Sequence, residues 1–290
     1  MLERQNNKPR NSSLRMQCFV RRIGVYFGLF LGFLFAGFPV FWMITMSIRP
    51  NGEVFDLPPH FLPKVFTFDA YIKIFSTLQK LRYFFNSYFV AFAVTALALI
   101  IGCLAGYAFS RFEYKGKKIF NSFIIGTQTI PAITLMIPYF SMMVSFHVYD
   151  SYFALIATHL AKCLPFSIIM MTGYFNTLPK ELDEGVLIDG GSRWLALWRI
   201  LVPISIPGMV ATGLYTFLQS WNEYLYALTL TKRTEMATVP IGISLLMGEY
   251  SYEWSEMMAM SILGSLPIML LFLFFQKYFL AGMTAGSVKM

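Results

Sequence analysis

Six apolar runs are long enough to cross a lipid bilayer, at roughly 23–46, 86–109, 119–144, 152–176, 203–230 and 259–280. A helix needs about 20 apolar residues to span the hydrocarbon. Lipid offers no partner to an unpaired backbone group, so each run is predicted to be a helix. The expected fold class is therefore an all-α membrane protein with six transmembrane helices. Composition agrees: the chain is 57% hydrophobic and only 13% charged, about half the charge of an ordinary soluble domain. Prolines 39, 131, 138, 165, 207 and 267 fall in or beside these runs. Kinked helices suit a bundle that encloses a cavity.

The basic residues orient the bundle. Residues 1–22 hold six, and the short loop 110–118 holds Arg111, Lys115, Lys117 and Lys118. Lys180, Arg193 and Arg199 lie in 177–199, whereas 145–151 has none. The positive-inside rule puts both termini and the 177–199 loop in the cytoplasm. The loop 47–85 carries five basic residues against the trend and is expected outside, as an ordered cap. The net charge of +8 thus reads as topology and not as nucleic-acid binding. Residues 23–46 follow a basic segment without a small-residue cleavage site, so they read as a retained first span. The first 15 residues or so are expected to be disordered.

No nucleotide-binding loop, HExxH or GxSxG occurs. The three cysteines and three histidines are scattered, so neither a disulfide framework nor a metal site is implied. Catalysis by this chain is not expected.

The most polar stretch between two apolar runs is 179–203. Pro179 suits a first helical turn, and Glu181, Asp183 and Glu184 crowd the positive end of the helix dipole. Gly190 and Gly191 can stop the helix. Ser192 can cap a second one carrying Trp194, Leu195, Leu197, Trp198, Ile200 and Leu201. This predicts an elbow suited to handing force to a soluble partner, and on local grounds an ordinary interhelical loop fits the same residues equally. Within the spans, His159 and Lys162 share one helix face. A lysine there costs at least about 2.5 kcal/mol unless it meets water or a partner. It either lines a solute path or pairs with Glu223. Gln219, Trp221, Asn222 and Glu223 suit sugar recognition, with a stacking ring beside hydrogen-bonding amides, and suit interhelical hydrogen bonding equally.

Several stretches, in this order and spacing, resemble the smaller six-helix permease subunit of carbohydrate ABC importers of the maltose type. They are Asn86 to Ala91, Leu104 to Phe112, Ile137 to Phe140, the elbow, Trp221-Asn222-Glu223 and Ala281 to Lys289. The elbow is similar to the family signature E-A-A, three residues, G, nine residues, I-x-L-P. It falls on Glu184-Gly185-Val186, Gly190 and Ile200 to Pro203, with Gly185, Val186 and Val202 departing from the pattern.

The resemblance implies a type I ABC importer permease fold. Residues 1–22 would be a cytoplasmic tail, 23–281 the permease domain and 282–290 a cytoplasmic tail reaching the ATPases. It implies a second permease subunit, two ATPase subunits carrying ATP and Mg²⁺, an extracytoplasmic solute-binding protein touching 231–256, and a carbohydrate substrate. No cofactor is expected on this chain, which would sit in a bacterial inner membrane. Glu181, Glu184, Gly185, Asp189, Gly190, Gly191 and Pro203 would couple to an ATPase, whose closure rocks the permeases between inward- and outward-facing states. The position of Lys162 is usually apolar in the family, so a lysine there points to an acidic oligosaccharide. A polyamine or phosphate permease is one alternative. A stand-alone secondary transporter is another, against which stands the missing internal repeat.

Overall fold

The computed structural model describes residues 10–248 and 252–285. Helix α1 (Arg10–Ser47) is followed by a 3₁₀ turn (Asn51–Phe55) and α2 (Asp69–Ser76). Next come α3 (Leu78–Arg111), α4 (Lys117–Thr127), α5 (Met136–Ser145) and α6 (Tyr152–Asn176). The elbow holds α7 (Glu181–Ile188), α8 (Arg193–Leu195), a π-helical stretch (Ala196–Leu201) and α9 (Val202–Ile204). The chain continues through α10 (Ile206–Trp221), α11 (Leu225–Leu230), α12 (Val239–Ser244) and α13 (Trp254–Ala285).

Four spans are unbroken helices, in α1, α3, α6 and α13, and two more are bent pairs. The segments Lys117–Thr127 and Ala132–Ser145 meet at 96°. The segments Arg193–Ile204 and Ile206–Trp221 meet at 77°. Both bends lie at prolines, which lack the N–H that would continue the helical ladder: Pro131 at the first, Pro203 and Pro207 at the second. The expected third span is thus broken in its middle. The expected fifth span ends at Trp221, turns, and resumes as α11. Helix α3 begins at Leu78, well before the expected 86, and Lys80 in its first turn is ion-paired with Glu256. Helix α1 begins at Arg10, so residues 10–15 are helical where disorder was expected. The tail expected at 282–290 starts inside α13, and 286–290 lie outside the described residues.

Helix α3 is the centre of the bundle and packs along α6 and α10, with α13 against α10 and α1 against α13. Two glycines set the α3–α6 distance. A Cβ on Gly106 would lie 2.9 Å from the Met171 Cβ and the Thr172 nitrogen, and one on Gly102 3.3 Å from Ser167. Small residues at such crossings let backbones approach when lipid supplies no hydrophobic drive. Helix α1 keeps most of its apolar surface exposed, Phe33 and Phe35 included, which lipid tolerates and water would not.

The loops at 51, 150 and 231–255 are tied down by side-chain hydrogen bonds. Asn86 donates to the carbonyls of Glu235 and Ala237, each at 2.8 Å, and accepts from the Tyr152 hydroxyl at 2.6 Å. Ser87 accepts from the Val239 N–H at 2.8 Å. Asn51 bridges to the far end of the chain, donating to the Tyr252 carbonyl at 2.9 Å and accepting from the Ser255 N–H at 3.3 Å. Asp150 accepts from the Lys232 N–H at 3.0 Å and from the Arg233 Nε at 2.7 Å.

Two predictions follow from this packing. The variant Gly106→Val should loosen the α3–α6 crossing and lower stability by about 1–3 kcal/mol, read by thermal unfolding in detergent. Gly126→Ala, where a Cβ meets nothing within 4 Å, should be neutral. The second concerns Asp150. Burial pushes its carboxyl up, but the hydrogen bonds from Lys232 and Arg233 outweigh this and hold it below the ordinary carboxylate range. A depressed value stabilises above the unfolded pKa of about 4 and is lost as pH falls through the folded value. Asp150→Asn retains a residue that tolerates the left-handed φ of 57° found here. It should be less stable than the parent by up to about 1 kcal/mol at pH 6, with the gap closing below pH about 4.

Candidate functional site

The break between α4 and α5 opens a cavity of about 630 Å³. Thr127, Gln128, Thr129 and Pro131 form one wall, and Tyr139 of α5 extends it. Lys162 and Phe166 of α6 face them, with Tyr215 and Gln219 of α10 and Tyr226 of α11. Non-helical backbone at membrane depth is tolerated where it lines such a space. The turn is partly satisfied locally: the Gln128 N–H reaches the Ile125 carbonyl at 3.1 Å, and the Thr129 hydroxyl the Gly126 carbonyl at 2.8 Å. Phe166 and Tyr215 stack at 3.7 Å, so α6 and α10 present one aromatic surface there.

Among the described residues Lys162 is the one charged side chain lining the cavity. It is ion-paired with Glu223. The lysine side chain is 33% exposed and the carboxylate 3%. The ammonium therefore faces the cavity with its counter-charge directly behind it. The other Glu223 oxygen accepts from the Tyr226 N–H at 3.2 Å, which fixes the turn between α10 and α11. Lys162 thus both lines the cavity and pairs with Glu223.

The remaining intramembrane candidates separate. Gln219 lines the cavity. His159 is buried, with Nδ1 3.0 Å from the Ser220 hydroxyl, and joins α6 to α10. Trp221 points into the core, where its Nε1 donates to the Gly264 carbonyl at 3.1 Å and its ring meets Tyr88 and Phe217. Asn222 is exposed at the end of α10. The aromatic rings at the cavity are thus Tyr139, Phe166, Tyr215 and Tyr226. The polar wall at 127–129 was missed in the sequence reading; its signal is Thr-Gln-Thr before Pro131 inside an otherwise apolar run.

The elbow is built on the C-terminal ends of α3 and α6. Arg111 ends α3, and its Nε donates to the Asp183 carboxylate at 2.6 Å. Its other nitrogens donate to the carbonyls of Phe175 at 3.0 Å and Leu178 at 3.2 Å. Both partners of the pair are buried, the side chains 4% and 10% exposed. Leu197 and Leu201 pack on Tyr107, Met171 and Phe175. The Arg193 guanidinium lies 4.7 Å over the Phe112 ring.

Gly190 ends the first elbow helix at φ 80°, a conformation open to glycine at little cost. Its N–H and that of Gly191 close on the carbonyls of Leu187 and Val186, at 3.1 and 2.8 Å. Ser192 then caps the next helix by accepting from the Leu195 N–H at 3.2 Å. A Cβ on Gly191 would meet the Val186 side chain at 2.6 Å. Val186, a departure from the signature alanine, is thus accommodated by the glycine facing it. A Cβ on Gly185 would meet nothing within 4 Å, so that departure leaves the fold unstrained. Glu181, Glu184, Gly185, Asp189, Gly190 and Pro203 are exposed, as are Ile188 and Trp194 at 85% and 63%. The outward face therefore combines acids with large apolar side chains.

Residues 98–285 match the model of the binding-protein-dependent transport system inner membrane component family, and the chain belongs to that family. It is 33% identical over 270 residues to the inner membrane ABC transporter permease protein YcjP of Escherichia coli K12, covering 92% of this chain and 96% of that protein. It is 34% identical to the trehalose/maltose transport system permease protein MalG of Thermococcus litoralis, covering 93% and 98%. It is 32% identical to the sulfoquinovosyl glycerol transport system permease protein SmoH of Agrobacterium fabrum, covering 87% and 88%. The fold matches a chain of a bacterial ABC transporter involved in importing the acidic polysaccharide alginate, with a TM-score of 0.76 and 24% identity over 94% of this chain and all of that one. The chain is accordingly an inner membrane component of a transport system.

Removing one member of a buried ion pair strands the other. Lys162→Met should cost about 3 kcal/mol, the low end for such a pair because the lysine is one-third exposed. Glu223→Gln should cost less, since the ammonium can reach solvent through the cavity. The double variant should recover most of the lysine loss. Thermal unfolding of the three variants checks the ordering.

Proposed function

We propose that this chain forms half of the translocation path of an ATP-driven carbohydrate importer. Its cavity passes the solute, and its elbow engages an ATPase subunit. The observation that carries the reading is the near full-length similarity to permeases named for trehalose/maltose and for sulfoquinovosyl glycerol. A cavity of this size with amides, hydroxyls and stacked rings supports it, because apolar faces plus a few placed polar groups suit a hydroxyl-rich ring. The partners on this reading are a second permease, two ATPase chains that hold ATP and Mg²⁺, and an extracytoplasmic solute-binding protein. This chain needs no cofactor of its own. The elbow and both termini lie in the cytoplasm, as the basic residues of 110–118 and 177–199 favour.

The Glu223 carboxylate behind Lys162 leaves the cavity without net charge. That favours a neutral oligosaccharide, with the ammonium acting as a hydrogen-bond donor to hydroxyls. A second reading, an acidic oligosaccharide, is favoured by the exposed position of the ammonium itself. Polyamine import has no support in a cavity whose one charged lining group is cationic.

Ile188 and Glu184 are exposed and make no contact that the bundle needs. Ile188→Glu and Glu184→Lys should therefore leave the chain folded but lower co-purification of the ATPase subunits several-fold. Uptake in reconstituted vesicles should fall in proportion. Normal ATPase recovery and uptake in both variants would remove the elbow assignment. Competition of neutral against uronic-acid oligosaccharides in the same vesicles decides the solute class.

A further inference from the structure

A second cavity, of about 790 Å³, opens at the inner ends of α3, α4 and α6. Lys117, Lys118, Lys180, Asn121 and Asn176 line it, with Glu113 as its one carboxylate. Glu113 is already engaged: Lys117 donates to it at 2.8 Å and to the Phe112 carbonyl at 3.0 Å. The Lys117 hydrogen bond holds the Glu113 carboxyl below its ordinary value, and the more distant Lys180 adds to this. Among the described residues no carboxylate lies within 4 Å of the Lys118 or Lys180 ammonium. Among the described residues the cleft thus sets three ammonium groups, Lys117, Lys118 and Lys180, against the one Glu113 carboxylate, beside two amide side chains.

Its surroundings are apolar. Ile119, Phe120 and Phe123 of α4 are exposed and run from the cleft toward the hydrocarbon. A small hydrophilic anion would match the lysines and leave this flank uncovered. An amphipathic anion matches both. Basic pockets between spans on the cytoplasmic side suit phosphodiester headgroups, and the lysine stems can lie along apolar surface with their charges at the interface. We propose that this cleft binds the headgroup of an anionic phospholipid of the inner leaflet, with its acyl chains along the Phe120–Phe123 flank. Because Lys180 immediately precedes α7, such a lipid would brace the start of the elbow.

The test uses the complete transporter in vesicles of phosphatidylcholine with phosphatidylglycerol, followed by mild detergent release and native mass spectrometry. Phosphatidylglycerol should stay bound in preference to phosphatidylcholine. The K118Q/K180Q variant should lower its retention on the order of thirtyfold, and each single variant on the order of fivefold. K115Q, an exposed lysine outside the cleft wall, should retain lipid as the parent does. Equal retention of the two lipids, or parent-like retention in K118Q/K180Q, overturns the proposal. Displacement by inorganic phosphate as readily as by lipid would assign the cleft to a free anion instead. Intact lipid retention with selective loss of acidic-solute uptake would make it a solute exit, and would also overturn the proposal.

Discussion

A guanidinium buried at the C-terminal end of α3 is the joint of this molecule. Arg111 reaches across to the Asp183 carboxylate and to carbonyls at the end of α6. Arginine suits the task because its planar fork of donors stays charged and holds several acceptors in fixed directions. Removing either charge would strand the other in a low-dielectric site, so the two helices and the elbow are held in one register. Leu197 and Leu201, packed on Tyr107, Met171 and Phe175, add a contact that cannot slide without opening a void. Displacement of the elbow must therefore move α3 and α6, which cross closely at Gly102 and Gly106, and α6 forms one wall of the cavity.

The cavity depends on a complementary weakness. The α4–α5 segment abandons helical geometry near Pro131, and α10 stops before Glu223. In lipid such breaks are stable only beside protein or water. The fold places both against the same space, and Lys162 of α6 ties to the second through Glu223, which accepts from the Tyr226 N–H. The cavity is thus bounded by irregular backbone on two sides and by a continuous helix, α6, on the third. Helix α6 reaches from that wall down to the Arg111 joint, so site and elbow share one rigid element.

Much of this was legible in the residues. Apolar length marked the six spans, the Gly190-Gly191 pair marked the helix stop, and Ser192 marked the cap, because each depends on local chemistry. The Arg111–Asp183 pair was not legible. Its members lie 72 residues apart, and local spacing carries no information about such a partner. The break at 128–131 was hidden because hydropathy averaged over a window does not register one turn of lost hydrogen bonds. The residues around Trp221 suit sugar recognition and interhelical hydrogen bonding equally on local grounds, and the ring faces the core. A helix apolar on most faces gives no periodic signal for which side is inward. Lys162 was legible as costly but ambiguous, since a cavity-facing ammonium and a buried counter-ion are separate facts that only the packing of α6 on α10 unites.

Held by the Arg111–Asp183 pair, the elbow and the α3–α6 pair move as one body. The most direct test is the number of solute molecules imported per ATP hydrolysed by the assembled transporter carrying Asp183→Asn, with assembly checked by recovery of all subunits. With the joint weakened, ATP hydrolysis should continue while uptake per ATP falls well below that of the parent. An unchanged ratio in a fully assembled variant would contradict the account.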